Sequence, residues 1–396
     1  MRPLEGVTVV TLEQAVAAPF ATRQLADLGA RVLKIERTGT GDFARGYDES
    51  VKGLAANFVW LNRSKESVAL DLKHPRALEI VKRMLARADV FVQNLSPGAA
   101  ARLGLSGEQL QAELPRLIVC EVSGYGDTGP YRDKKAYDLL IQAEAGLIGI
   151  TGTPDSPAKT GISTADIAAG MYAYSGILCA LYQREKTGRG SLVKVSMFDA
   201  LCEWMLFPLY YNHFGATPFV AAGAGHPAIY PYGPFPTADG KTVLIGIQNE
   251  REWKLLCERV LNRPELAGDS RFNSVSRRVA NQEILHPVLE RAFRQLAAAD
   301  LICLLDEVGI ATARLNDLET VWNHPQLTAR ERWRTVDSPA GRIPALVPPG
   351  IPCGVEPRMD PIPALGQHTA AVLMELGYTP SEIGSLKQEK VVDSNP

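Results

Sequence analysis

The 396-residue sequence predicts an α/β fold with a parallel sheet, followed by a smaller second region. Three observations carry that prediction. Short β-rich runs alternate with helical stretches through the first third of the chain. The helical stretches have the length of βαβ crossovers, about 10–15 residues. Gly- and Pro-rich sequence between residues 215 and 240 then marks a boundary, after which a strand pattern restarts.

In chain order, residues 6–12 form the first β-rich run. Pro19 suits the first turn of a helix reaching residue 28, and Gly29 suits its end. Residues 31–36, 67–72, 89–93 and 117–122 read as further strands. A helix over 75–88 between them shows Leu78, Ile80, Val81, Met84 and Leu85 at helical spacing. A long helix starts near Asp166 and passes Gln183, with Ile167, Met171, Tyr174, Leu178 and Leu181 following one face. Residues 191–196 return to strand, 242–247 open the second region, and helical stretches run to about residue 307. Residues 339–363 read as an extended linker, and a helix over 369–377 closes the chain. The expected division is a large domain of 1–200 with 330–396, a small one of 225–325, and connecting stretches at 201–224 and 326–360.

Composition narrows the function. With 42 Lys+Arg against 44 Asp+Glu the chain is nearly neutral, which argues against a general binder of nucleic acid or anionic membrane but allows a local basic pocket. Neither a signal peptide nor a transit helix is visible at the start, and no apolar run reaches the ~18 residues of a membrane span. The expectation is a soluble, cytoplasmic protein. Six scattered cysteines without a C-x-x-C read mostly as buried thiols, and no metal site is expected.

A strand closing on Glu36 invites a dinucleotide-binding reading, in which that acid holds a ribose. The turn after the first strand, Glu13-Gln-Ala-Val-Ala-Ala-Pro19, lacks the G-x-G-x-x-G that admits a pyrophosphate. Its small residues still let a flat ligand approach the backbone.

The chemistry is expected in the segment Gly161-Ile-Ser-Thr-Ala-Asp166-Ile-Ala-Ala-Gly170. Asp166 falls at a helix start, as N-cap or in the first turn. An aspartate there commonly does no more than cap the helix. The position also suits a nucleophile, because free amides and the helix dipole keep a carboxylate ionised and can meet charge on a reacting carbonyl. A carboxylate can open a thioester to an anhydride and split a difficult exchange into easier steps. Arg37, Lys73, Arg102 and Lys135 each fall at or after the carboxyl end of an expected strand, where open α/β sheets bind ligands. Together they fit a ligand with several phosphates.

The string Ala30-Arg-Val-Leu-Lys-Ile-Glu-Arg37 with Gly41-Asp42 and Arg45-Gly46 resembles the class III CoA-transferases. So do Asn62-Arg-Ser-Lys65, Leu70-Asp-Leu-Lys73, Asn94 to Gly98 with Arg102-Leu-Gly104, and Gly124-Tyr-Gly-Asp-Thr-Gly-Pro130. Lys186-Thr-Gly-Arg-Gly190 and Leu365-Gly-Gln-His-Thr369 complete a set that runs nearly the whole chain in order. The resemblance implies a Rossmann-like large domain with a parallel sheet plus a smaller α/β domain, and a homodimer interlocked like linked rings. It places the nucleophile on Asp166 and implies CoA contacts at Ala15, Val16, Ala17, Arg37, Leu72, Lys73, Asn94, Leu95, Arg102 and Lys135. Tyr137 and Asp138 are implied to border the catalytic carboxylate. No cofactor beyond CoA and its esters is implied.

Two rival functions share these residues. A 2-methylacyl-CoA racemase needs a histidine beside the acid after the Gly-Tyr-Gly loop, where this chain has Tyr137, and His74, His213 and His226 do not match. A non-catalytic CoA-binding dimer would leave Asp166 without a role. The favoured reading is transfer of CoA from an acyl-CoA such as succinyl-CoA to a small carboxylic acid. The acceptor expected is a C4–C6 dicarboxylate such as itaconate, mesaconate, malate or glutarate. Oxalate and formate are disfavoured because no run of glycines precedes Tyr230, and Arg45 or His226 is a candidate for the acceptor's distal carboxylate.

Overall fold

A computed structural model describes residues 1–215 and 218–393, so two residues of the expected 201–224 connection lie outside the described residues. The first unit comprises Met1–Ala145, Thr160–Leu206 and Gln326–Pro396, and the second Gly146–Lys159 and Phe207–Pro325. The excursion over 146–159 was not legible as part of the second unit.

In the first unit, strands β1 (Thr8–Leu12), β2 (Arg31–Glu36), β3 (Lys65–Leu70), β4 (Val90–Gln93), β5 (Ile118–Ser123) and β6 (Leu192–Ser196) are all parallel to their neighbours. Their order is β3-β2-β1-β4-β5-β6, and a short antiparallel strand at Val392–Asp393 covers the β3 edge. The near-continuous apolar runs suit strands buried on both faces. One face packs Val10, Leu33, Val68 and Phe91 against Ile80, Val81 and Met84 of helix α2 (Pro75–Leu85). The C-terminal helices Thr369–Glu375 and Pro380–Gln388 add Leu373 and Leu386 to that core.

Helices α1 (Ala17–Asp27) and α4 (Thr164–Thr187) pack on each other, with α3 (Asp138–Glu144) between them in sequence. Of the apolar stripe expected on α4 only Leu181 is buried, with Ile167, Tyr174 and Leu178 half-buried. Ala165, Ala168, Ala169, Ala173, Ile177 and Ala180 are buried, while Met171 is exposed. The small residues let the two backbones approach closely. A Cβ on Gly170 would stand 2.7 Å from the Ala17 carbonyl oxygen, so that position requires glycine. By length and composition α4 is apolar enough to cross a membrane, a feature the count of unbroken apolar residues did not reveal. Its alanine face is instead packed on α1, β5, β6 and helix α5 (Met197–Trp204), as a core helix is.

The stretch expected as a linker over 326–360 contains a hairpin, Trp333–Val336 with Ile343–Leu346. Its Val336 and Ile343 join Ala55, Phe58 and Ile362 in a small apolar cluster of the first unit. The second unit has a three-stranded antiparallel sheet, Tyr232–Pro236, Thr242–Gly246 and Ala311–Arg314, packed around Trp253, Phe235, Phe272 and Phe293. Only Cys120 and Cys257 are buried; Cys179, Cys303 and Cys353 are exposed, which corrects the expectation of mostly buried thiols.

Candidate active site

The strand order reverses at β1, so the crevice between the carboxyl ends of β1 and β4 is the switch point where such sheets bind ligands. Leu12 and Gln93 are paired there, and the next residues meet directly. The Gln14 amide donates to Asn94 Oδ1 at 2.8 Å, and Asn94 Nδ2 donates to the Gln14 carbonyl at 2.9 Å. Ala15 follows with φ +60°, a left-handed conformation rare for a residue with a Cβ. The Asp42 carboxylate stabilises it by accepting the Ala15 amide at 3.1 Å. Val16 then opens α1 with no side-chain cap. Four of the expected CoA contacts, Ala15, Val16, Ala17 and Asn94, therefore converge, with Leu95 adjacent and its amide held by Gln93 Oε1.

Beneath this turn lies a buried ionic network that sequence reasoning missed. Lys34 Nζ bridges Glu13 (3.2 Å) and Asp42 (2.7 Å), and Lys65 Nζ reaches the same Glu13 oxygen at 2.6 Å. All four side chains are fully enclosed. The sequence signal was slight: Lys34 and Lys65 stand in strands β2 and β3, and Glu13 and Asp42 in the turns that follow β1 and β2.

Glu36 is also buried, accepting two bonds of 2.7 Å from Arg45 and one from the Ser67 hydroxyl. It faces no ribose. Arg45 is thereby committed, with further bonds to the Pro363 carbonyl and its guanidinium 3.7 Å from the Phe58 ring centroid. The role offered to Arg45, meeting a distal carboxylate, is overturned.

Arg37, Lys73, Arg102 and Lys135 are exposed, and none has a side-chain partner among the described residues. Arg31, by contrast, is taken by Glu66 and Glu375. Arg102 folds back towards Gly98, where an added Cβ would meet its Nη1 at 2.9 Å. The Leu72 side chain is half-buried against the core that α2 shares.

Asp166 lies in the first turn of α4, two residues after Thr164, and is half-buried. Asp138, at the start of α3, turns back onto it. Its Oδ1 accepts the Ala165 amide at 2.9 Å and the Asp166 amide at 3.5 Å. The Thr164 and Ile167 amides bond the carbonyls of Ile162 and Ser163. The amides expected to stay free for a developing oxyanion are thus engaged. The expectation that the helix start keeps Asp166 ionised also fails. Burial first, and the Asp138 carboxylate second, push its carboxyl up to about 7.

Tyr137, exposed, precedes α3. Tyr47, which the sequence reading passed over, joins this group. Its phenol is pushed up to about 12, by burial first and then by the charges of Asp42, Asp166 and Tyr137. Among the described residues no group of three or more His, Cys, Asp or Glu side chains is placed to hold a metal ion.

A parallel sheet with exposed cations around its carboxyl edge and a half-buried aspartate at a helix start suits an enzyme that takes a polyanionic ligand. The family model described as CoA-transferase family III matches residues 4–369, and the chain belongs to that family; it is a class III CoA-transferase. It is 34% identical over 401 residues to succinyl-CoA:glutarate CoA-transferase of Mus musculus, covering 100% of this chain and 91% of the relative. It is 38% identical over 331 residues to acetyl-CoA:oxalate CoA-transferase of Acetobacter aceti, covering 83% and 84%. It is 33% identical over 403 residues to succinyl-CoA–D-citramalate CoA-transferase of Chloroflexus aurantiacus, covering 99% and 98%. Among solved structures, a CAIB/BAIF family protein from Brucella suis matches with TM-score 0.82 and 33% identity, over 95% of this chain and 99% of that one.

Proposed function

We propose that this enzyme moves CoA from succinyl-CoA to a small dicarboxylate, through a covalent thioester on Asp166. The observation that carries the reading is the half-buried carboxyl of Asp166 at the start of α4, the position the family resemblance assigns to the nucleophile. Relatives named for glutarate, citramalate and malate support a dicarboxylate acceptor. The relative named for oxalate puts that acid in the panel as well.

In the proposed cycle the Asp166 carboxylate attacks the succinyl-CoA carbonyl, expelling CoA thiolate and leaving a succinyl–aspartyl anhydride. The thiolate attacks the Asp166 carbonyl, giving the aspartyl-CoA thioester and free succinate. The acceptor carboxylate attacks that thioester, releasing thiolate and forming a second anhydride. Thiolate then captures the new acyl group and restores Asp166. Position supplies most of the acceleration, since each step is a displacement between held partners. Arg37, Lys73, Arg102 and Lys135 are available to the phosphates of CoA because, among the described residues, no acid occupies them, and two chains are proposed to form the interlocked homodimer.

The test is trapping with hydroxylamine or borohydride after exposure to succinyl-CoA, read by peptide mass. Modification should fall on Asp166, only after exposure to the ester. Asp166→Asn should fold, bind CoA and lose transfer by several orders of magnitude. A trapped residue other than Asp166, or near-normal transfer by Asp166→Asn, overturns the reading.

A further inference from the structure

The geometry points to Asp138 and Gln142 as a positioning pair that fixes the start of the nucleophile's helix by a one-way pattern of hydrogen bonds. The inference rests on the reading of Asp166 as nucleophile and adds how that residue is held.

Gln142 lies one turn after Asp138 on α3 and is fully buried. Its Nε2 donates to Asp138 Oδ2 at 2.7 Å. Its Oε1 accepts both the Thr160 amide and the Thr160 hydroxyl, each at 3.1 Å. The Thr160 hydroxyl in turn meets the Thr164 hydroxyl at 2.5 Å, in the first turn of α4. A backbone amide can only donate, so Gln142 must present its oxygen to Thr160 and its NH2 to Asp138. Asp138 must then accept on both oxygens, from Gln142 on one side and from the Ala165 and Asp166 amides on the other. A carboxylate, which accepts on both oxygens, satisfies both sides. The donors at residues 160, 165 and 166 thus set the side-chain orientation at 142 and make Asp138 the acceptor on both of its oxygens.

This arrangement does two things to Asp166. It fixes the backbone that carries the side chain, where a displacement of about 1 Å from the reacting geometry costs on the order of 10²-fold in rate. It also holds a like charge next to the nucleophile. Other ionisable groups lie on the elements packed against α4: Glu144 on α3, Arg23 and Asp27 on α1, Asp199 and Glu203 on α5, Glu121 on β5 and Lys194 on β6. Among the described residues, burial and then the Asp138 charge raise the Asp166 carboxyl, and Tyr47 is the further group that faces it.

The polarity argument gives a test by compensating exchange in the full-length enzyme. Asp138→Asn places an amide NH2 against either Gln142 or the helix amides, and Gln142→Glu sets two carboxylates together. Each single variant should lose about 10²-fold in kcat, with KM for succinyl-CoA within about threefold of wild type. Combining them restores the donor–acceptor match between 138 and 142 and at Thr160, Ala165 and Asp166, leaving unmatched only the long 3.4 Å contact of residue 142 with the Ile162 carbonyl, so the double variant should recover to within about tenfold of wild type. The acidic limb of the pH–kcat profile should move down in Asp138→Asn and up in Gln142→Glu, a displacement that a merely structural role would not produce. Should a single variant fail to fold, hydrogen exchange in the wild type decides instead. Protected Ala165 and Asp166 amides support the pair, and exchange as fast as in exposed loops overturns it. Singles at wild-type kcat, or a double no better than the product of the singles, also overturn it. If instead Asp166→Asn keeps its activity, the nucleophile assignment has failed and not this one.

Discussion

Replacing Asp166 by asparagine should make the protein more stable above neutral pH while abolishing transfer. The folded chain holds this carboxyl at about 7 against an ordinary 3.8, because burial and Asp138 oppose its charge. Between those two values the native state keeps a proton that the unfolded chain has lost. Stability therefore falls as pH rises through that window, and the full penalty is present only above 7. Its size is up to about 4 kcal/mol. With an unfolding entropy of about 2.1 cal/mol/K per residue, a chain of 396 residues converts that into a Tm difference of ~5 °C at most. Thermal melts of wild type and Asp166→Asn at equal protein concentration, at pH 8.5 and pH 5, provide the assay. The variant should melt several degrees higher at pH 8.5, and the gap should narrow to less than half at pH 5, closing only near pH 4 and below, where the carboxyl of the unfolded chain is protonated too. An equal difference at both pH values, or a variant that melts lower at pH 8.5, refutes the argument.

Arg37→Ala and Arg102→Ala should each raise KM for the CoA ester by about 10- to 100-fold with little change in kcat, since a charge-assisted hydrogen bond to phosphate is worth roughly 1.5–3 kcal/mol; unchanged KM in both places the phosphates elsewhere. Lys34→Met strands the buried Asp42 carboxylate and half of Glu13's pairing, so urea unfolding should show a loss of about 3–5 kcal/mol, and a midpoint equal to wild type would contradict it.

Local signals were enough for the frame. Strand β2 is bounded as its alternation with turns implied, and the helix carrying Asp166 begins within two residues of the expected start. Tertiary facts were not legible. The stripe Ile167, Met171, Tyr174 has helical spacing, but spacing does not say which face a neighbour covers, and the small-residue face is the one packed on α1. Arg45 looked available because its partner Glu36 is nine residues away and was read as a strand end. The charge state of Asp166 depends on burial first and then on Asp138, which lies 28 residues upstream and returns only in the fold. Gln142 had a readable signal, an acid and an amide at i and i+4 on one short helix, which was not used.

Raising the carboxyl of the proposed nucleophile also changes how the proposed anhydride breaks down. In that species CoA thiolate can attack either of two carbonyls, and the carboxylate that departs more readily is the weaker base. Attack at the succinyl carbonyl expels Asp166, whose conjugate acid in this site stands at about 7. Attack at the Asp166 carbonyl expels succinate, an ordinary carboxylate with a pKa near ~4. The difference favours the second path, towards the aspartyl-CoA thioester, over simple return of succinyl-CoA. The same basicity makes ionised Asp166 a stronger nucleophile in the first step, at the expense of leaving about half of the free enzyme protonated near neutral pH. A helix start whose amides were free would do the reverse, lowering the carboxyl and returning the anhydride to substrate. Burial first and the Asp138 cap second would therefore favour the aspartyl-CoA thioester in both halves of the proposed cycle, helping the first anhydride forward and holding back the second, whose productive breakdown expels Asp166, and the borohydride experiment bears on it directly. If succinyl-CoA alone leaves no reducible thioester on Asp166 while transfer proceeds, the partition does not run this way.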